Sequence, residues 1–286
     1  MTASSPDTFH PIRQLTAPTL HNFRDMGGYQ GQDGRSVRWG CLYRSGHLSD
    51  IDHDTGALLG QKSITRVVDF RSRQEKGSNP VSFPESWQPR YHDVPIGGNA
   101  AAWVRELLER LSTSPFPAQD LRDQFILAFE TIPLANAAGL RRLFDALLAS
   151  EPESPDNSAD AGATPTPGAT LFHCTAGKDR TGIAGMLVLS ALGVGKDQIM
   201  EDFLLTNSAV DVTTQSEELA AWVSQKTGRT ISARDVLPLK GVEPAFLNAA
   251  IAAITREYGS VQAYLEQAMG LTRAKCEHLH RLYLIP

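Results

Sequence analysis

Residues 173–182 read His-Cys-Thr-Ala-Gly-Lys-Asp-Arg-Thr-Gly, and the fold is best predicted outward from them. The apolar residues 169–172 before them have the length and composition of a buried strand. The nearly unbroken apolar run over residues 183–192 after them predicts a buried helix, and Gly193 is a suitable stop. The sequence therefore predicts a strand, a short loop and a helix that begins at the loop.

The predicted loop has the composition of an oxyanion site, with one thiol, one guanidinium and glycine. Backbone N–H groups of a tight loop converge, and the helix N-terminus adds its positive end. Arg180 can hold two oxygens of a phosphate at once. Cys174 is expected at the base of the loop, where the same positive field stabilises a thiolate. A thiolate that faces a phosphorus atom held in this way is arranged for covalent phosphoryl transfer.

The pattern His-Cys-x-x-Gly-x-x-Arg-Thr-Gly resembles the signature of protein tyrosine phosphatases. Its Ala-Gly-Lys-Asp-Arg-Thr-Gly version resembles the atypical bacterial members of that family, typified by a secreted mycobacterial enzyme. The resemblance extends over residues 18–286, through the segments NFRD at 22–25, LYRS at 42–45, VVDFRS at 67–72, DFLLTN at 202–207, and YGS at 258–260 with Tyr264 and Leu265.

The resemblance implies a cysteine-dependent mechanism without a metal or organic cofactor. Cys174 is expected to form a phosphocysteine that water hydrolyses, and Arg180 to bind the phosphoryl oxygens. A tyrosyl leaving group needs a proton. Because the sequence contains no Trp-Pro-Asp motif, the resemblance places the general acid at Asp179. The alternative is that Asp179 only pairs with a neighbouring cation.

Other residues are expected to support the site. His173 is expected to orient the loop, and Thr181 to assist departure of the sulfur. Asp69 lies at the C-terminal end of a predicted strand and can pair with Lys178 or Arg180. In the family, the lysine at the position of Lys178 is linked to multiply anionic substrates. The predicted substrate-binding set is Thr175, Ala176, Gly177, Lys178, Thr181, Asp69 and Arg44, although Arg44 can equally form a structural ion pair.

Strands that alternate with helices predict an α/β fold with a mainly parallel central sheet, helices on both faces, and a helical C-terminal third. The resemblance implies a helical lid over the site, and residues 217–237 are the candidate for it. The strands are expected at residues 39–44, 64–70, 90–96 and 169–172. Helices are expected from Ser49 to near Gly60 and over residues 101–111, 121–129, 135–149, 183–192, 196–207, 216–226, 243–257, 261–269 and 273–283.

The chain is expected to hold a single phosphatase domain over residues 18–286. Residues 1–17 predict a flexible N-terminal arm. Residues 151–168 are rich in Pro, Ser, Asp and Ala and predict a flexible insertion loop, because such a segment buries little apolar area.

Composition limits the partners. A net charge of −5 argues against general nucleic-acid binding. The sequence contains no run of 18 apolar residues, so no membrane span is predicted. Three cysteines suit a reducing compartment rather than a disulfide scaffold. The first residues do not resemble a signal peptide, so the expected location is cytoplasmic, or outside the cell by export without an evident signal. The oligomeric state stays open.

The leading functional prediction is a phosphomonoester hydrolase that acts on phosphotyrosine in proteins, with breadth toward phosphoserine, phosphothreonine or phosphoinositides. An arsenate reductase or a sulfurtransferase also uses a cysteine in an anion loop, but the partner cysteines that a reductase needs, here Cys41 and Cys276, are remote in sequence. A non-catalytic phosphate-binding module is the third reading, although it would be expected to have lost Cys174 or Arg180.

Overall fold

The predicted strand before residues 173–182 lies at the centre of a five-stranded sheet. The structure, a computed structural model, describes residues 13–97, 118–149 and 168–286. The sheet order is β1-β3-β6-β4-β5, with β1 antiparallel to β3 and the other neighbours parallel. The strands are β1 (Arg24–Asp25), β2 (Ser36–Val37), β3 (Leu42–Ser45), β4 (Ile64–Asp69), β5 (Arg90–Asp93), β6 (Ala169–His173) and β7 (Leu284–Ile285), of which β2 and β7 form a separate pair.

Helices flank this sheet, and the mainly parallel α/β fold expected from the sequence is confirmed. In the described ranges the helices are α1 (His53–Gln61), α2 (Arg73–Ser78), α3 (Ala118–Ala135), α4 (Ala137–Leu148), α5 (Asp179–Ala191), α6 (Lys196–Leu204), α7 (Thr206–Ala209), α8 (Val212–Thr227), α9 (Ala233–Lys240), α10 (Pro244–Tyr258), α11 (Val261–Gln267) and α12 (Arg273–Tyr283).

The central strands are covered on both faces, because alternate side chains of one strand point to opposite sides of the sheet. Val67 and Leu171 belong to one apolar cluster, whereas Val68 and Phe172 belong to the larger one. Helix α5 is buried along nearly its whole length, which explains why residues 183–192 lack a polar stripe.

The register of the parallel strands gathers the site at one edge of the sheet. His173, the last residue of β6, pairs with Ser45 on one side and with Asp69 on the other. All three residues end their strands, so the loops that follow meet at the same edge. This carboxyl edge is where α/β folds bind their ligands.

Two helices were not expected from the sequence. Helix α2 has no buried residue, so its sequence lacks an apolar period, although Ser72 and Glu75 form a capping box at its start. Helix α9 contains Pro238 and is short. Helix α1 begins later than expected, because Asp52 and not Ser49 accepts the capping hydrogen bond from the Thr55 amide.

The predicted N-terminal arm is wrong for its last five residues. The Leu15 amide donates to the Phe23 carbonyl at 3.0 Å, and Ala17 is buried. The Arg13 guanidinium is also buried and lies 3.7 Å from the centre of the Tyr29 ring. These residues are therefore part of the folded domain. Three predicted features lie wholly or mostly outside the described residues. They are residues 1–12 of the arm, the predicted helix over 101–111 and nearly all of the predicted insertion over 151–168.

Among the described residues, no single helix is long and apolar enough to cross a membrane. Helices α9 and α10 have the length and composition of a span only when taken together, and they are bent by 49° at the break between them.

Candidate active site

The loop between β6 and α5 is built as the sequence predicts. It starts at Cys174, and α5 begins at Asp179, so the last two residues of the Cys-x5-Arg pattern lie in the first helical turn. We call residues 174–180 the anion loop. Gly177 has a φ of +69°, and a Cβ there would come within 2.4 Å of the Ser45 carbonyl oxygen. A side chain at this position would therefore meet both backbone strain and a backbone clash.

Gly177→Ala should lower kcat/KM for an aryl phosphate by roughly 10- to 100-fold. The substitution adds strain of about 1–3 kcal/mol, which the loop can relieve only by moving away from Ser45. Gly195→Ala is the matched control, because its φ is −68° and an added methyl there meets nothing within 4 Å. Steady-state kinetics on both variants would test the expectation, and equal activities would show that the loop tolerates another conformation.

Cys174 and Arg180 are both almost inaccessible, with 2% and 4% of their surfaces exposed. Burial alone would lower the pKa of the Arg180 guanidinium. A thiolate at Cys174 and the hydrogen-bonded carboxylate of Glu75 outweigh burial and raise that pKa above its ordinary value. Arg180 is thus a permanent cation close to the sulfur.

Glu75 is a site residue that the sequence analysis missed. Its carboxylate accepts from Nη1 of Arg180 at 2.9 Å and from Nη2 at 2.6 Å. The Thr175 hydroxyl also donates to Glu75. Arg180 makes two further contacts through its Nη atoms. Nη1 donates to the Phe70 carbonyl at 3.2 Å, and Nη2 donates to the Thr175 hydroxyl at 3.4 Å. None of these four contacts uses Nε, so Arg180 is oriented while that N–H is left to other acceptors.

Lys178 does not project into solvent, where it could meet a second anionic group of a substrate. It is 4% exposed, and its ammonium donates to the carbonyls of Pro238 at 2.6 Å, Leu239 at 3.3 Å and Gly241 at 3.0 Å. These are carbonyls at the C-terminal end of α9, where helical partners are lacking. The Phe125 ring lies 4.6 Å from the same nitrogen. Lys178 therefore ties the anion loop to α9, which overlaps the predicted lid.

Replacing Lys178 with methionine should loosen α9. Hydrogen bonds from a charged donor contribute about 1.5–3 kcal/mol each, so losing them should speed amide hydrogen exchange in α9 by at least about tenfold. Lys196→Met removes the same charge from an exposed position on α6 and is the control. Unchanged exchange in α9 would show that apolar packing alone holds this helix.

Asp179 lies in the first turn of α5, and its side chain is 26% exposed. Its Oδ1 is 3.7 Å from the Lys178 ammonium, and no hydrogen-bond partner reaches that oxygen from the described residues. Burial raises the pKa of Asp179 above its ordinary value, against the lowering effect of Lys178 and Arg180. Burial is therefore the strongest influence on the pKa of this carboxyl.

Asp69 does not pair with Lys178 or Arg180, and that prediction is wrong. Its carboxylate accepts from Arg71, at 2.9 Å from Nη2, and from the Tyr91 hydroxyl at 2.7 Å. Asp69 and Arg71 are only two residues apart, so a local pair satisfies both charges. His173 is buried with Nε2 3.7 Å from Asp69, and its Nδ1 lies 3.0 Å from the Cys174 carbonyl oxygen.

Arg44 is fully buried below the anion loop. Its Nη1 donates to Asp202 at 2.6 Å, and its Nη2 donates to the Gly177 carbonyl at 3.0 Å. Burial and the nearby Arg24 lower the pKa of Arg44 to about 10, with Asp202 opposing them, so the group stays charged at neutral pH. These contacts are those of a structural ion pair, one of the two readings the sequence left open.

The remaining predicted contacts lie on the anion loop or directly after it. Thr175 is half-buried beside Glu75, and Ala176 is exposed. Thr181 is buried, and its hydroxyl has no hydrogen-bond partner among the described residues. It is therefore available to the Cys174 sulfur. In the same ranges no group of three or more His, Cys, Asp or Glu residues is arranged to hold a metal ion.

A mainly parallel sheet whose central strand ends in a Cys-x5-Arg loop at a helix N-terminus defines an oxyanion site with a cysteine at its base. Comparison with known proteins identifies the family. The chain belongs to the tyrosine phosphatase family, whose model matches residues 15–285, and it is an enzyme of the protein tyrosine phosphatase class. The resemblance found in the sequence is thereby confirmed.

Individual relatives agree in length as well as in sequence. A protein of Cupriavidus necator, named as a candidate tyrosine-protein phosphatase, is 35% identical over 262 residues, or 89% of this chain and 84% of that protein. The triple specificity protein phosphatase PtpB of Mycobacterium tuberculosis is 28% identical over 301 residues, or 96% of this chain and 99% of that protein. The crystal structure of P. aeruginosa TpbA covers 81% of this chain and 98% of its own, at 16% identity and a TM-score of 0.32.

Proposed function

We propose that the protein hydrolyses phosphotyrosine through a phosphocysteine at Cys174. The observation that carries the proposal is the pairing of Cys174 with an Arg180 whose guanidinium Glu75 already orients. Nε of Arg180 makes no hydrogen bond within the part of the chain that the structure describes, and the 3.4 Å contact of Nη2 to Thr175 is long enough to be exchanged. Arg180 can therefore bind two phosphoryl oxygens. Such groups act where charge develops in the transition state.

In the first step the Cys174 sulfur attacks phosphorus, and the bond from phosphorus to the tyrosyl oxygen breaks. Asp179 gives its proton to that oxygen. In the second step water attacks the phosphocysteine, Asp179 takes a proton from the water, and the sulfur leaves as a thiolate. Inorganic phosphate and the dephosphorylated tyrosine are the products, and the enzyme returns to its starting state.

The charges around the loop support Asp179 as the acid. Burial alone would raise the pKa of Asp69, Glu75 and Asp202, but their charged and hydrogen-bonding neighbours hold each of these pKa values below the ordinary one. Burial leaves the pKa of Asp179 raised. Asp179 is therefore the carboxyl of the four that is easiest to protonate.

A denaturing acid quench during turnover of a phosphotyrosine peptide tests the mechanism. We expect mass spectrometry to find a phosphoryl group on the peptide that contains Cys174. Turnover without that adduct, in a quench fast enough to trap substrate in mid-reaction, would contradict covalent catalysis. Reduction of arsenate without hydrolysis of the peptide would instead favour the arsenate reductase alternative.

Breadth of substrate is the second part of the proposal. A relative that covers nearly the whole chain is named for triple specificity, and we extend such breadth to phosphoserine, phosphothreonine and phosphoinositide substrates here. Phosphate release from matched phosphotyrosine, phosphoserine and phosphothreonine peptides and from short-chain phosphoinositides tests it. Release from the phosphotyrosine peptide alone would restrict the protein to tyrosine.

A further inference from the structure

Two carbonyl groups of the anion loop are held by buried side chains from early in the chain. The Asn22 amide donates to the carbonyl of Gly177 at 2.9 Å and to that of Ala176 at 3.3 Å. Arg44 donates to the same Gly177 carbonyl at 3.0 Å. Two separate segments thus fix one peptide group of the loop.

Asp202, on α6, connects the two donors. Its Oδ2 accepts from Arg44 at 2.6 Å, and its Oδ1 accepts from Arg24 at 3.1 Å. Arg24 in turn donates to the Asn22 side-chain oxygen, which turns the amide nitrogen of Asn22 toward the loop. Asp202 is 1% exposed and both arginines are 0% exposed, so this carboxylate is the counter-charge of two fully buried cations.

Helix α5 leaves room for this cluster. A Cβ at Gly185 would lie 3.1 Å from Nη1 of Arg44 and 3.7 Å from Oδ2 of Asp202. A Cβ at Gly182 would lie 2.8 Å from the Phe203 ring. A Cβ at Gly182 would also lie 3.7 Å from Nη2 of Arg44, so the two glycines leave space beside α5 for the Arg44 guanidinium.

We propose that Asp202 is a positioning residue of the anion loop, acting through Arg44 and through the pair Arg24–Asn22 on the carbonyl of Gly177. In a trans peptide the carbonyl and the next amide N–H point in opposite directions. Holding the Gly177 carbonyl on the buried side turns the Lys178 N–H toward the bound oxyanion. Asp202 touches neither substrate nor sulfur and sets the direction of a donor. The inference rests on the proposed function only in requiring that the loop bind phosphate.

Inorganic phosphate affinity, measured by calorimetry in a Cys174→Ser background, tests this role. Asp202→Asn should weaken phosphate binding by about tenfold, the scale of one charge-assisted hydrogen bond. Glu201→Gln makes the same charge change at the exposed neighbouring position and should bind within twofold of the parent. Circular dichroism at the same temperature checks that each variant is folded. A folded Asp202→Asn variant that binds as tightly as the control would overturn the proposal.

A double-mutant cycle separates positioning from general loss of structure. Arg44→Lys keeps the charge, but one ammonium is not expected to span Asp202 and the Gly177 carbonyl as the guanidinium does. If Asp202 acts through Arg44, the two changes together should weaken binding by less than the product of their separate effects. If the loss of binding in the double variant equals the product of the two separate losses, the proposed action of Asp202 through Arg44 is overturned.

Asn22→Gly covers the case in which Asp202→Asn does not fold. Asn22 has a φ of +53°, which glycine adopts readily, and the change removes the donor to Gly177 without adding a charge beside the loop. Weakened phosphate binding by about tenfold is expected, and unchanged binding would contradict the proposal. If the Cys174→Ser parent itself binds no phosphate and the wild type turns over no substrate, the proposed function fails instead.

Discussion

Replacing Cys174 with serine should abolish turnover of an aryl phosphate and leave phosphate binding in place. The hydroxyl is a far weaker nucleophile than a thiolate in this field, and losing a covalent nucleophile costs several powers of ten. Arg180 and the loop amides are unchanged, so the oxyanion should still bind. Because Cys174 is almost fully buried, the smaller oxygen atom should fit without disturbing the loop.

The measurement combines steady-state kinetics on a chromogenic aryl phosphate with phosphate binding. Cys276→Ser, at a half-buried position on α12, is the control and should keep wild-type activity. Residual activity of Cys174→Ser above about a hundredth of wild type would contradict a cysteinyl nucleophile. A wild-type protein that binds phosphate but hydrolyses nothing would be a binding module.

The sequence was sufficient to place the anion loop, because its signals are local. The apolar run of β6, the glycine at position 177 and the buried helix behind the loop follow one another along the chain. The last residue of β6 and the start of α5 then fall where the motif requires them. Each inference used only residues within one turn or one strand of the feature it predicted.

The groups that orient the loop are long-range partners, and the sequence analysis did not connect them to it. Glu75 meets Arg180 across 105 positions, and Arg44 meets Asp202 across 158. In the sequence, Glu75 lies in the polar six-residue segment of α2 and cannot be distinguished from an exposed acid. Only the register of the strands shows that it lies beside the anion loop. Ser72 and Glu75 form a capping box at the start of α2, which explains where the helix begins and not the contact with Arg180.

Lys178 shows how burial can reverse an expectation based on charge. A lysine beside an anion site is naturally assigned to a second anionic group on the substrate. Here three carbonyls at the end of α9 hold its ammonium, and burial lowers its pKa while Asp179 and Cys174 oppose that shift. The contact between Lys178 and α9 was not expected from the sequence, since α9 contains a proline and shows little helical signal.

In the proposed mechanism Asp179 replaces the acid that other phosphatases bring on a separate loop. On that proposal the proton for the leaving oxygen comes from the anion loop itself. Asp179→Asn should slow aryl phosphates with basic leaving groups by roughly 10²–10⁴-fold, the usual contribution of general acid catalysis. A leaving group acidic enough to depart without a proton should be affected much less. Asp197→Asn, an exposed aspartate on α6, is the matched control.

The pH dependence should separate the acid role from a structural one. The acid must be protonated, so wild-type activity on a basic leaving group should fall as pH rises through the pKa of Asp179, which burial raises. That alkaline fall should disappear in Asp179→Asn, because the amide does not titrate. The experiment is a leaving-group series across pH for both proteins. An equal slowdown over the whole series, with the alkaline fall retained, would mean that Asp179 only shapes the loop and that another group supplies the proton.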